Sequence, residues 1–249
     1  MSRLPSLRRP PIGFAHRGAR ANAPENTLEA FRLAVRLGAT GLESDVWLTA
    51  DGVCVLDHDG VIGSRVRRRA IATLERRELP DFIPSLEELY QDVACGVGAT
   101  LELALDVKDI AAAARVIDIA RLAGAEDRLW LCHPELEVVA SWRGLSDGVK
   151  LVDSTRLKRL TEGPERRAAR QRSLGVDAVN LHASDWSGGL IALFHRFERF
   201  ALGWDAQLPR VLDELLDAGI DGVFSDYVER MSDALIRSET GQARNRPPT

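Results

Sequence analysis

Glu43 and Asp45 stand two residues apart inside the apolar run Gly41 to Val46, the spacing that puts two carboxylates on one face of a strand. Buried side by side without a partner they repel, at a cost of several kcal/mol or a shift of their pKa values. A divalent cation removes that conflict. With Asp106 from a later apolar run, three hard oxygen ligands are available for Mg2+ or Ca2+. Nearby arginines would answer the same charge by ion pairing, so the spacing alone leaves both readings open. His16 follows the first apolar run and His58 follows the short stretch Val53 to Leu56. Imidazole exchanges protons near neutral pH, which suits general acid–base catalysis; each histidine taken singly also serves as a structural hydrogen-bonding group. Arg17 and Lys108 offer fixed positive charge for an anion such as phosphate, or ion pairs for the same carboxylates.

These residues need elements to position them. The chain alternates short apolar runs with longer amphipathic stretches, the pattern of repeated strand–helix units. Eight runs read as strands: Ile12 to Ala15, Gly41 to Val46, Leu101 to Val107, Leu129 to Cys132, Val149 to Val152, Ala178 to Leu181, Phe200 to Trp204 and Gly222 to Phe224. Helical patterns follow each, at Asn26 to Leu37, Ser85 to Val93, Ile110 to Leu122, Pro134 to Ser141, Ser154 to Arg172, Asp185 to Arg196, Gln207 to Asp217 and Val228 to Ser238. Ser85 with Glu88 forms a capping-box pattern, Pro134 suits a first helical position, and Asn26 suits a helix cap with Thr27 a local start residue. Gly38, Gly124, Gly175 and Gly219 suit left-handed helix ends.

Eight such units in one chain predict a single-domain α/β fold, a (β/α)8 TIM barrel spanning residues 12–237, with an open doubly wound sheet as the second choice. A short insertion after the second strand, about 59–84, carries an Arg-rich excursion. Residues 1–11 and 238–249 read as tails. Barrel sites are built at the C-terminal strand ends, where all the residues above fall.

Composition narrows the classes. The chain has 249 residues and a formal net charge of −4, so no basic excess drives a nucleic-acid coat. Cys54, Cys95 and Cys132 are an odd number at unrelated spacings, which argues against a disulfide framework and for a reducing, cytoplasmic setting. No run is long and apolar enough for a signal peptide core or a membrane span. Among 33 basic residues only Lys108, Lys150 and Lys158 are lysines, and one of them falls beside Asp106.

Taken in order, His16-Arg17-Gly18, Pro24-Glu25-Asn26-Thr27, Glu43-Ser44-Asp45-Val46, Asp51-Gly52 and His58-Asp59 resemble the glycerophosphodiester phosphodiesterase family. The resemblance continues through Ile83 to Glu88, Leu105-Asp106-Val107-Lys108, Gly219 to Gly222 and Ser225-Asp226, covering about residues 12–230. It implies a metal-dependent hydrolase on a (β/α)8 barrel that cuts a glycerophosphodiester into glycerol 3-phosphate and an alcohol. By that resemblance Glu43, Asp45 and Asp106 hold a divalent metal ion, Mg2+ or Ca2+. His16 and His58 form the acid–base pair, and Arg17 and Lys108 contact the phosphate. Glu25 and Asn26 organise the site from behind. The nucleophile is water or the neighbouring glycerol hydroxyl, the latter passing through a cyclic phosphate.

The chain also departs from the family pattern. Asp106 stands where the family usually has Glu, and Glu102, four residues earlier, is the alternative carboxylate on that strand. Trp204-Asp205-Ala206-Gln207 replaces a Trp-Thr-Val-Asn pattern; Trp204 suits an apolar wall and Asp205 suits a cationic head group. His133 and His182 fall at strand ends outside the motif, and His195 falls inside a helix. Arg65, Arg67, Arg68 and Arg69 read as lid charges, either solvated or drawing anions inward. The expected partner is a small glycerophosphodiester; a lysophospholipase D type activity on lysolipids and a non-catalytic binding module are the alternatives.

Overall fold

The computed structural model describes residues 5–63, 67–93 and 100–240. Strands follow the apolar runs: β1 (Ile12–His16), β2 (Gly41–Leu48), β3 (Cys54–Leu56), β4 (Val61–Ile62), β5 (Arg69–Ala70), β6 (Glu102–Val107), β7 (Leu129–His133), β8 (Lys150–Ser154), β9 (Ala178–His182), β10 (Phe200–Trp204) and β11 (Gly222–Ser225). Between them lie α1 (Leu28–Arg36), α2 (Leu86–Asp92), α3 (Ala112–Leu122), α4 (Leu136–Ser141), α5 (Pro164–Ser173), α6 (Gly188–Arg196), α7 (Pro209–Asp217) and α8 (Val228–Thr240).

The parallel strands pair in the order β1, β2, β6, β7, β8, β9, β10, β11, and β11 returns to β1. The sheet therefore closes into an eight-stranded parallel barrel, and the open doubly wound alternative is excluded. Its interior is filled by Phe14, Trp130, Phe200, Leu202 and Phe224 with smaller neighbours. Phe14 stacks on Phe224 at 4.5 Å between ring centroids and meets Trp130 edge-on at 6.0 Å, so the barrel is a packed core beneath the cavity at its mouth. Outward-facing strand residues and the inner faces of the helices form a second, larger apolar layer.

The insertion after β2 is ordered by its own small core. β3 runs back antiparallel along the end of β2, β4 and β5 form a short hairpin, and Val55, Ile71, Leu74, Leu79 and Ile83 bury together. Arg67, Arg68 and Arg69 are exposed there, with Arg69 paired to Glu78; Arg65 and Cys95 lie outside the described residues, as do 1–4 and 241–249.

Several helix starts differ from expectation. Thr27, not Asn26, caps α1, its hydroxyl accepting from Ala30 N. Pro134 precedes α4, whose N-cap is Glu135. The stretch from Ser154 to Gly163 is not helical beyond a single turn at Leu157–Arg159. Instead α5 begins at Pro164 after Gly163 turns the backbone to φ 86°, because proline cannot donate an amide yet suits the first helical position. The segment before β1 is docked rather than free: Ser6 Oγ and the amides of Leu7 and Arg8 donate to Asp221.

Candidate active site

A cavity of about 610 Å3 opens at the C-terminal ends of the barrel strands. His16, Arg17, Glu43, Asp45, His58, Asp106, Lys108 and Trp204 all line it. Strand register explains how they meet. His16 is the partner of Glu43 across β1 and β2, and Asp45 is the partner of Asp106 across β2 and β6. β3 then carries the chain back, with Asp57 N donating to Asp45 O at 3.1 Å, so that His58 arrives beside residues far from it in sequence.

The carboxylates are crowded. Asp45, 2% exposed, receives Asn26 Nδ2 at 3.2 Å and faces Lys108 Nζ at 3.1 Å. Lys108 also pairs closely with Asp106, so a single ammonium serves two acids. Desolvation tends to discharge that ammonium, but the adjoining Asp106 and Asp45 outweigh it and hold the Lys108 pKa above its ordinary value. Among the described residues Glu43 accepts only from the Arg17 amide, at 3.0 Å. Burial, helped by the charges of Asp45 and Asp106 and opposed by His16, pushes its pKa up to about 7. Glu102 plays no part here; Trp130 Nε1 donates to it at 2.7 Å and Arg8 pairs with it, at the opposite end of the barrel.

Both histidines are held through Nδ1. His16 Nδ1 lies 2.6 Å from Asp226 Oδ1, and His58 Nδ1 lies 2.8 Å from Asp59 Oδ1. An ionised carboxylate only accepts, so each ring donates through Nδ1. His16 Nε2 is left 3.8 Å from Glu43 Oε2. Burial alone would depress the His16 pKa; the Glu43 charge and the Asp226 hydrogen bond override it and raise it.

The turn after β1 is shaped for this placement. Arg17 and Asn26 both take left-handed backbone, φ 54° and 55°, and Asn26 N donates to Arg17 O. Between them Gly18, φ 78°, leaves no room for a side chain, since a Cβ there would meet the Ala30 backbone at 2.8 Å. Arg17 Nη1 donates to Glu25 at 3.1 Å, while its Nε lies 3.2 Å from Asp45 Oδ2, out of line for a hydrogen bond. Asn26 is buried and also accepts from Ser44 Oγ.

The far wall was largely hidden in the sequence. Arg156, Lys158, Arg159, Gln207 and Asp226 line the cavity as well. Asp226 appeared only within the terminal motif, although its place just beyond a strand end is the signal that singles it out. Gln207 fixes it by accepting from its amide at 2.9 Å. Trp204 packs edge-on against His182 at 4.6 Å and lies under the Arg156 guanidinium at 5.6 Å. Asp205, with φ 62°, accepts from Gln207 Nε2 and lies 3.0 Å from His182 Nε2, contacts that fix its carboxylate in the cavity wall. His133 and His195 do not line the cavity; His195 Nε2 sits 2.7 Å from Asp221.

Comparison with known proteins agrees with this architecture. The profile of the glycerophosphoryl diester phosphodiesterase family matches residues 16–230. A probable glycerophosphodiester phosphodiesterase 2 of Mycobacterium tuberculosis is 27% identical, the match covering 90% of each chain. Rat glycerophosphodiester phosphodiesterase 1 is 41% identical over 121 residues, spanning 41% of this chain and about a third (36%) of the rat protein's length. A glycerophosphoryl diester phosphodiesterase structure from Silicibacter pomeroyi superposes with TM-score 0.80 at 24% identity, covering 94% of this chain and 95% of its own. An Oleispira antarctica phosphodiesterase in complex with the product sn-glycerol-3-phosphate superposes with TM-score 0.74 at 22% identity, over 91% of this chain and 97% of its own. The two structures establish the shared barrel, and the profile match across most of the chain places it in the glycerophosphoryl diester phosphodiesterase family.

Proposed function

We propose that this enzyme hydrolyses glycerophosphodiesters to glycerol 3-phosphate and an alcohol, with His16 and His58 as its acid–base pair. One observation carries the reading: two imidazoles held through Nδ1, three carboxylates, Arg17 and Lys108 share one cavity. The family, and the product bound by one structural relative, point to the same substrate class.

A phosphodiester is an anion that repels nucleophiles, so the site must first neutralise it. Arg17 and Lys108 do so, Arg17 being kept in place by Glu25. One histidine accepts the proton of the attacking hydroxyl and the other returns a proton to the departing alkoxide. Asp226 and Asp59 fix the tautomers that leave Nε2 of each ring available. Trp204 walls the glycerol or leaving group, and Asn26 braces Asp45 from behind.

The donor chemistry also fits a divalent cation, Mg2+ or Ca2+. Glu43, Asp45 and Asp106 are hard oxygen donors at one cavity, and burial together with the charges of Asp45 and Asp106 raises Glu43 to about 7. These three would hold the ion, which when bound supplies further positive charge against the phosphoryl oxygens. As placed, no three acidic, imidazole or thiol groups among the described residues cluster closely enough to chelate one. Lys108 sits on one oxygen of each of two of the acids, so an ion held by both would use the acceptor sites it leaves.

The test is release of glycerol 3-phosphate from glycerophosphocholine with Mg2+ or Ca2+. His16→Ala and His58→Ala are each expected to lower kcat by about 10²–10⁴, and chelator to abolish turnover. Full activity in either variant overturns the acid–base pair; full activity in chelator overturns the metal.

A further inference from the structure

We propose that the loop after β8 forms a second anion subsite, and that the preferred substrates are glycerophosphodiesters whose leaving alcohol carries a further phosphate. The inference rests on the phosphodiesterase reading above and names the head group that site takes.

Position is the first support. Around the closed barrel, β8 is four strands from β1 in either direction, so its loop stands diametrically across the mouth from His16 and Arg17. With its glycerol end seated beside His16 and Arg17, a diester projects its leaving group toward this loop. The cavity has room for it: at ~30 Å3 per water, about 610 Å3 holds roughly twenty water-sized groups, about twice the non-hydrogen atoms of glycerol phosphate.

Charge is the second. Arg156, Lys158 and Arg159 line the cavity from this loop. Arg156 is committed, its Nε and Nη2 donating to Asp185 at 2.7 and 3.1 Å while the guanidinium lies over Trp204. Lys158 and Arg159 are exposed, and neither side chain has an ion-pair partner among the described residues. The loop is not limp, because Leu157 N also donates to Asp185 at 3.1 Å. It thus presents two uncompensated cations from an anchored single turn. Asp205, the acid beside Trp204 in this wall, is turned toward His182 and Gln207, so the loop cations and not this carboxylate face the incoming group.

The experiment compares kcat/KM for three substrates: 1,3-bis(glycerophospho)glycerol, glycerophosphoglycerol, which lacks the second phosphate, and glycerophosphocholine. Wild type is expected to favour the first. In a Lys158→Ala/Arg159→Ala variant the ratio of the first to the second is expected to fall about tenfold, each solvated cation contributing a few-fold. Lys158→Glu/Arg159→Glu is expected to lower the ratio further and favour the choline diester. Both pairs are exposed, and an unchanged circular dichroism spectrum and Tm establish that the variants are folded. Wild-type ratios near one, or a ratio that the substitutions leave unchanged, overturn the subsite while leaving the phosphodiesterase reading intact. Failure of wild type to cleave any of the three overturns that reading and the subsite with it.

Discussion

Three non-glycine residues at this cavity or immediately behind it hold left-handed backbone: Arg17, Asn26 and Asp205. Such conformations cost on the order of 1 kcal/mol or more and persist where surrounding contacts enforce them. For Asn26 the enforcing contacts are Nδ2 to Asp45 and the Ser44 hydroxyl to Oδ1; the side chain is a strut beneath a candidate ligand. Backbone and side-chain contributions separate by substitution. Asn26→Ala loses both hydrogen bonds and keeps the strain, for a loss of about 2–4 kcal/mol in urea unfolding. Asn26→Gly loses the same bonds but relieves the backbone, so it is expected to be about 1 kcal/mol more stable than the alanine variant. Both are expected to show the same fall in kcat/KM, since Asp45 loses its brace in each. Wild-type turnover in Asn26→Gly would show that only the backbone shape of this turn matters.

Among the elements, α2 shows how local chemistry sets a boundary. Ser85 Oγ accepts from Glu88 N at 3.1 Å and Glu88 Oε2 accepts from Ser85 N at 2.6 Å, a reciprocal cap that the spacing Ser-x-x-Glu announced. Burial works against the charged Glu88, yet the Ser85 and Arg76 hydrogen bonds outweigh it and hold the pKa below 4.5. A folded-state pKa below the unfolded value gives stability that is present above about pH 4.5 and is lost as pH falls through the lower, folded value. Glu88→Ala is therefore expected to cost roughly 0.5–1 kcal/mol at pH 7, the gap to wild type closing as unfolding is repeated toward pH 3. A constant gap would assign the effect to packing. The strands were as legible as this cap, because eight apolar runs separated by amphipathic stretches admit few arrangements. The region after β8 was not: α5 buries only Ala168 and Gln171, so its polar, Arg-rich sequence carries no apolar stripe to mark where helix begins. Reading helix from Ser154 onward hid Arg156, Lys158 and Arg159 from the list of site residues. His16, Asp106 and His58 were legible because each lies at or beside a strand end, Glu43 and Asp45 because their spacing puts them on one face of β2, and Lys108 because it stands two residues from Asp106; its further reach to Asp45 depends on side-chain placement that the spacing does not encode.

At the scale of the whole molecule the barrel divides its labour between two ends. The mouth collects the charged groups, while the opposite end is closed by Asp221, which is fully buried. Its Oδ1 takes Ser6 Oγ and the amides of Leu7 and Arg8, and its Oδ2 takes the amide of Ala201 and faces His195 Nε2 at 2.7 Å. The hydroxyl and the three amides donate, and so does the imidazole, because an ionised carboxylate only accepts. One side chain thereby ties the segment before β1, the start of β10 and α6 to the strand that closes the barrel. Asp221→Asn keeps the shape but turns an amide NH2 toward groups that also donate, leaving buried donors without acceptors. The expected loss is about 2–4 kcal/mol of unfolding free energy. Because the site is built at the other end, kcat/KM measured well below Tm should stay within about twofold of wild type. A parallel collapse of turnover in a variant still folded at the assay temperature would show that the two ends are mechanically coupled through the packed aromatic interior, with Phe14, Trp130 and Phe224 the residues to substitute next.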